Sequence, residues 1–234
     1  MPSTRSNSSR REYYLYTTGD DIGTYRVIGH LGTGHESDVY LVKHNKSEKK
    51  YSLKLLRGRN TPQAVESAVN FYRKLAHCRS VKRLRSVNVL PSQRSVGVRY
   101  YLVFDYIQGI SIDRYLDGNY QVPIPVLLFR LAQALERVHR TGLAIGDFSQ
   151  GRNILVEKGT QRLVFCDLDY GEVGCPNQHQ GEDLLELQKQ ARRLYRQIGL
   201  DPDRAVMRVL DCAITAKDAV SALKPLILRL SESL

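Results

Sequence analysis

Apolar residues change period part-way along this chain, and that change restricts the fold more than any other feature. In TYRVIGHL (24–31), SDVYLVKH (37–44) and KYSLKLL (50–56) they alternate with polar residues, as half-buried strands require. Two more strand-like runs follow, VNVLPSQRSVG (87–97) and VRYYLVFDYI (98–107). Between these groups, Thr61-Pro62 offers an N-cap and a proline at the first helical position, predicting a helix through about His77. From Ile124 onward apolar residues recur at 124, 127, 128, 131, 135 and 138, the spacing of one buried helix face. Short strands NILVE and RLVFCD flank the turn EKGTQ. The remainder predicts helices at 182–198, at 202–213 behind an Asp201-Pro202 cap, and at 216–231. The expected class is α+β: a mostly antiparallel five-stranded N-terminal lobe with one helix, about 13–107, and a helical C-terminal lobe, about 108–234. With 234 residues, 42% of them hydrophobic, the chain can build such a two-lobed domain.

Several classes are excluded on composition. No run of about 18 apolar residues exists, so a membrane span is not expected. Residues 1–12, MPSTRSNSSRRE, read as a disordered basic tail without the apolar stretch of a secretory signal. Cys78, Cys166, Cys175 and Cys212 are widely spaced with no CxxC, which predicts a reduced, cytoplasmic chain and argues against zinc. Tyr13, Tyr14, Tyr16 and Tyr25 are expected to form an aromatic strand patch.

The net charge is +11, with basic clusters at 54–59 (KLLRGR), 79–85 (RSVKRLR) and 192–196 (RRLYR). Their sum predicts attraction to polyanions. RNA or an acidic protein is the expected partner, docking on 79–85, where Lys82, Arg83 and Arg85 sit, and on 192–196.

Two stretches carry chemistry. In HLGTGHESDVYLVK (30–43), Gly32 and Gly34 lie in a turn between strands, where glycine lets the backbone approach a ligand and aim N–H groups at phosphate oxygens. No helix follows and GK[ST] is missing, so this is neither a dinucleotide fingerprint nor a Walker loop. One strand later, Lys54 sits between Leu53 and Leu55, and a lysine in an apolar strand must snorkel or meet an anion. The second stretch, AIGDFSQGRNILVEKGTQRLVFCDLDYG (144–171), sets Asp147, Asn153, Asp167 and Asp169 among apolar runs and turns.

Together these residues resemble the protein-kinase-like superfamily. Gly32-x-Gly34-x-x-Ser37-x-Val39 followed by Lys54 is similar to the Gly-rich loop and β3 lysine of protein kinases, with serine for the third glycine. YLVFDYI (101–107) resembles the hinge, and LERVHRTGLAIGDFSQGRNILV (135–156) the catalytic helix and loop. The resemblance covers about 24–200 and implies ATP and Mg²⁺ as cofactors. Gly32, Thr33, Gly34, Ser37, Val39 and Lys54 would contact the nucleotide, with Asp105 and Ile107 at the hinge. Asp147 would orient the acceptor hydroxyl and take its proton, while Asn153 and Asp167 would hold the metal. Asp169-Tyr170-Gly171 matches DFG by letters, which leaves Asp169 as the alternative metal ligand; Asp167, at the strand end, is preferred. The kinase pattern also calls for a helix glutamate to pair with Lys54, and Glu66 alone is acidic between Thr61 and His77. His139 resembles a structural histidine of the catalytic helix.

Departures point to an atypical minimal kinase. Ile145-Gly146-Asp147 replaces HRD, and six residues rather than five separate Asp147 from Asn153, the extra one falling around Gln150-Gly151. Gly146 and Ser149 look more like RIO kinases, the KEOPS kinase and the lipopolysaccharide sugar kinases. Only 67 residues follow Asp167, too few for a full activation segment and substrate platform. Asp183 has two readings, a cap for the next helix or a brace for the catalytic loop, and capping is the expected one. The resemblance implies an ATP- and Mg²⁺-dependent serine/threonine protein kinase with an unidentified acceptor. The alternatives are a small-molecule or lipid-sugar kinase, a nucleotide-binding pseudokinase or scaffold, and an RIO-like ATPase bound to RNA or a partner protein.

Overall fold

The structure, a computed structural model, describes residues 16–34, 37–57, 62–91, 98–117, 122–146, 148, 151–166, 168 and 176–232. The N-terminal tail, Tyr13, Tyr14 and the expected Thr61 cap lie outside these residues.

Six antiparallel strands form the first sheet: β1 (Asp21–Ile22), β2 (Tyr25–Thr33), β3 (Ser37–His44), β4 (Lys50–Leu56), β5 (Leu84–Pro91) and β6 (Val98–Asp105), in the order β1-β2-β3-β4-β6-β5. The expected five are present, and β1 is the addition. Two residues are too few for alternation to be read from sequence. Gly23, at φ +61°, turns β1 into β2, and Ile22 is fully buried. Helix α1 (Pro62–Lys74) crosses from β4 towards β5 and ends in turns that reach His77, so it stops three residues before the expected end.

Residues 106–108 lead out of this sheet into β7 (Gly109–Ser111) and α2 (Ile112–Asp117), two short elements with too little pattern to anticipate. Helix α3 (Ile124–His139) buries Leu127, Leu128, Leu131, Leu135 and Val138, the stripe its spacing predicted. Strands β8 (Ile154–Glu157) and β9 (Leu163–Phe165) complete a second antiparallel sheet, β7-β8-β9. Helices α4 (Pro176–Gln197), α5 (Arg204–Cys212) and α6 (Ala216–Glu232) close the chain.

The caps explain where the expected boundaries moved. Asp203, not Asp201-Pro202, caps α5: its Oδ1 accepts from the Ala205 and Val206 amides at 2.8 and 3.0 Å. Thr215 and Asp218 bond reciprocally at the start of α6, each side chain reaching the other's backbone N–H. Helix α4 begins six residues earlier than expected, which moves Asp183 from its start into its interior.

Two cores result. Ile22, Val27, Tyr40, Val42, Leu53, Leu55, Tyr101 and Val103 fill one face of the large sheet. Tyr16 and Tyr25 pack against them, with Tyr25 edge-on to Tyr51 and Tyr101, so the aromatic patch is present. The other face contributes Leu56, Leu102 and Phe104 to a larger core shared with α1 and α3. Because side chains alternate along a strand, Lys54 belongs to the face of Leu56, not to that of Leu53 and Leu55.

Candidate active site

The strand register gathers the glycine-loop residues. Gly32 pairs with Val39, Val39 with Lys54, and Lys54 with Leu102, giving one row across β2, β3, β4 and β6. Directly opposed residues share a face, so Val39 and Lys54 stand side by side beneath Gly32. Gly34 and Ser37 close the loop, the Gly34 amide donating to the Ser37 carbonyl at 2.8 Å.

An ion pair that sequence reading missed clamps this loop. Arg57, just beyond β4, donates through Nε to Asp38 Oδ2 at 2.6 Å and through Nη2 to Asp38 Oδ1. The pair is buried, Asp38 at 3% and Arg57 at 11% side-chain exposure. Thr33 Oγ1 donates to Asp38 Oδ1 at 2.8 Å, and Arg57 Nη1 donates to the Gly34 carbonyl at 3.2 Å. Both limbs of the glycine turn are therefore tied to the strand that carries Lys54. Asp38 pairs with Leu55, so Arg57 falls two residues beyond its cross-strand partner, a relation visible only once β3 and β4 are paired.

Glu66 is not brought to Lys54. It faces solvent on α1, whose buried face consists of Val65, Ala68, Val69, Phe71 and Tyr72, and no ion pair joins the two among the described residues. At the hinge, Arg85 grips the Asp105 carboxylate through two bonds of 2.7 Å, and the Asp105 amide donates to the Arg83 carbonyl at 3.0 Å. The Asp105 side chain is thus occupied, which leaves backbone groups for a ligand there. Ile107 is half-buried in the connection to β7.

Asp147, Asp167 and Asp169 lie outside the described residues; their neighbours are fixed by named contacts. Gly146 has φ +84°, a left-handed backbone for which glycine is suited. Its amide donates to Asp183 Oδ1 at 2.9 Å, and the Ile145 amide donates to Asp183 Oδ2 at 2.8 Å. His139 Nε2 donates to the same Oδ2 at 2.8 Å. Asp183 is fully buried and braces the loop, and the expected cap is corrected: α4 starts at Pro176, so Asp183 is its eighth residue and lies in the helix body. On the other side of Asp147, Phe148 is fully buried and edge-on to Phe165 at 5.4 Å.

Asn153 ends a 3-10 turn, Gly151–Asn153, and its carbonyl accepts from the Cys166 amide at 3.0 Å. The β8–β9 hairpin thereby sets Asn153 beside the residue that precedes Asp167. Asn153 would offer an amide oxygen there, a hard donor of the kind Mg²⁺ takes. Gly151 is buried against α2 and α4: a Cβ there would collide with the Asp113 carboxylate and approach Ile112 Cγ2 and Arg193 Nη1 at 2.7 Å.

The basic clusters are less available than their sequence implied. Lys82 is buried with Nζ 5.2 Å from the Phe104 ring centre, and Arg85 is held by Asp105. Arg192 pairs with Asp211 at 3.1 Å, and Arg193 pairs with Asp113. Lys82, Arg85, Arg192 and Arg193 are therefore engaged within the fold, while Arg79, Arg83 and Arg196 are exposed; docking of a polyanionic partner on these clusters is a proposal. No helix of the described residues is long and apolar enough to cross a membrane.

Residues 28–228 match the APH phosphotransferase enzyme family. Serine/threonine-protein kinase Pkn1 of Chlamydia trachomatis serovar L2 is 34% identical over 134 residues, 53% of this chain. The match spans 20% of that protein's length. The PknI kinase domain of Mycobacterium tuberculosis superposes with a TM-score of 0.59 at 17% identity, covering 90% of this chain and 99% of that one. The apo form of PpkA-294 gives 0.63 at 14% identity, covering 91% and 99%. Such identities speak for the fold, which is that of a protein kinase domain. With the family match running over most of its length, this chain belongs to the phosphotransferase enzyme family.

Proposed function

We propose that the chain transfers the γ-phosphoryl group of ATP, with Mg²⁺, to a serine or threonine hydroxyl of a protein. The observation that carries this reading is the row Gly32–Val39–Lys54, which sets a cation beside an apolar residue beneath a glycine turn. An apolar residue there suits a base, the lysine suits phosphate oxygens, and loop N–H groups complete an anion cradle. Asp147 would accept the hydroxyl proton, and Asn153 with Asp167 would hold the metal, which supplies charge neutralisation on the phosphates when bound. The name of the Chlamydia relative supports a serine/threonine acceptor. A cytoplasmic site of action belongs to the same proposal and suits Cys78, Cys166 and Cys212, which form no disulfide among the described residues.

Labelled-ATP turnover with and without a general protein acceptor tests it. Transfer to protein that falls about 10²–10⁴-fold in Asp147→Ala, with nucleotide binding kept, is the expected result. Transfer only to a small hydroxyl compound would assign a small-molecule kinase, acceptor-independent hydrolysis an ATPase, and binding without turnover a pseudokinase. Asp167→Asn should weaken Mg·ATP binding more than Asp169→Asn; the reverse order moves the metal to Asp169.

A further inference from the structure

A cavity of about 970 Å³ opens away from the glycine loop, and none of the nucleotide-site residues lines it. Its wall contains Lys74 from the end of α1, His77 and Arg79 from the α1–β5 connection, Arg137 and Arg140 from the end of α3, and Arg162 from the β8–β9 turn. Glu157 is the one carboxylate among the described lining residues. Burial pushes the Cys78 thiol up, so that residue lines the cavity without charge.

Cations near helix C-termini are ordinary, because they offset exposed carbonyls. That accounts for Lys74, Arg137 and Arg140 taken singly. It does not account for Arg79 and Arg162, which lie on connections, nor for the convergence of all five on one space.

The convergence is built by the fold. The Lys82 amide donates to the Phe165 carbonyl at 3.1 Å and the Phe165 amide to the Ser80 carbonyl at 2.8 Å, which adds the α1–β5 connection to the second sheet. Arg137 Nη1 donates to Ser80 Oγ at 3.2 Å and ties α3 to the same connection. Arg162 Nη2 donates to Glu157 Oε1 at 3.0 Å, while its Nε is buried with no hydrogen-bond partner among the described residues. A buried donor of this kind asks for an acceptor.

We propose that this cavity is an anion-binding site for a multiply charged phosphate group, separate from the nucleotide site. Five permanent cations against one carboxylate need a ligand with several negative charges, and guanidinium forks match phosphate oxygens in pairs. The volume suits a small ligand or one phosphorylated side chain. The phosphate comes either from a free polyphosphate compound or from a phosphorylated segment of a protein.

Calorimetric titration of the whole chain, with ADP present in excess to fill the nucleotide site, distinguishes these sources. Tripolyphosphate and a phosphoserine peptide are the two probes. Saturable binding of at least one probe is expected, weakening with salt. It should fall about tenfold or more in Arg79→Ala/Arg140→Ala and return in Arg79→Lys/Arg140→Lys. Both arginines are exposed, so the thermal midpoint should stay unchanged. If the double alanine variant does not fold, Lys74→Ala/Arg79→Ala serves in its place. Tripolyphosphate binding assigns a small polyphosphate ligand, and binding of the peptide alone assigns a phosphorylated protein segment. No binding of either probe, or equal binding by wild type and folded alanine variant, overturns the proposal.

Discussion

Asp183 lies 38 residues from Ile145 in sequence and holds the Gly146 amide at 2.9 Å, with its other oxygen on Ile145 and His139. One fully buried carboxylate thus satisfies three donors and fixes the strand of backbone that enters Asp147. Burying a charge is costly unless every lone pair is used in this way.

Asp183→Asn keeps the shape but replaces one acceptor oxygen with an amide donor that faces an N–H. A loss on the order of 3 kcal/mol is expected, or a midpoint lowered by roughly 6–12 °C. Thermal unfolding read beside ATP turnover checks it: turnover should fall even below the new midpoint, because the loop loses its brace. A variant with unchanged stability and turnover would refute the bracing role.

The Asp38–Arg57 clamp should couple stability to nucleotide affinity. Asp38→Ala removes the carboxylate that a buried guanidinium needs, at a cost of about 3–5 kcal/mol. Arg57→Met/Asp38→Ala removes both charges and should recover part of that loss. A denaturant double-mutant cycle reads the coupling, and the KM for ATP should rise in the single variant. Additive losses in the cycle would mean the two side chains act independently.

Gly151→Ala tests the close packing of the 3-10 turn against α2 and α4. The new Cβ meets Asp113, Ile112 and Arg193, so α2 and the Asp113–Arg193 pair must shift. A cost of about 1–3 kcal/mol and lower turnover are expected. Gly159→Ala, with φ +87° and open space around it, is the control that carries backbone strain without collision. Equal effects of the two changes would remove the packing explanation.

Tyr195 is nearly buried, its hydroxyl has no hydrogen-bond partner among the described residues, and burial, with Asp203 nearby, pushes its pKa up to about 12. The neutral phenol is the form the fold accepts. Below about pH 10 both states are neutral and its stability is fully present; between about 10 and 12 only the unfolded state ionises, so stability falls as pH rises. Tyr195→Phe should be neutral or stabilising at pH 7 and lose on the order of 2–3 kcal/mol less than wild type between pH 9 and 12. Tyr40 and Tyr101 are raised by burial in both proteins, so the difference isolates Tyr195. Parallel pH profiles in urea unfolding would refute it.

What the sequence alone determined is local. Alternation places Lys54 on the face opposite Leu53 and Leu55, and the 124–138 spacing places the stripe of α3, because strand and helix geometry convert sequence spacing directly into facing direction. The order of the glycine turn, Lys54, Asn153 and the aspartates was legible only through its resemblance to the protein-kinase-like superfamily. The tertiary structure decided every pairing that crosses elements. Asp183 reads as a cap until α4 is seen to begin at Pro176, and Glu66 reads as a partner for Lys54 until α1 turns it to solvent. Arg85 and Arg192 read as open charges until Asp105 and Asp211 arrive beside them. The cavity cations at 74, 79, 137, 140 and 162 look scattered until β9 pairs with the connection after α1. A charge has no facing direction of its own in sequence; its partner is whatever the packing of distant elements brings within a few ångströms, and the Coulomb energy is set by that distance and by how far the pair is buried from water.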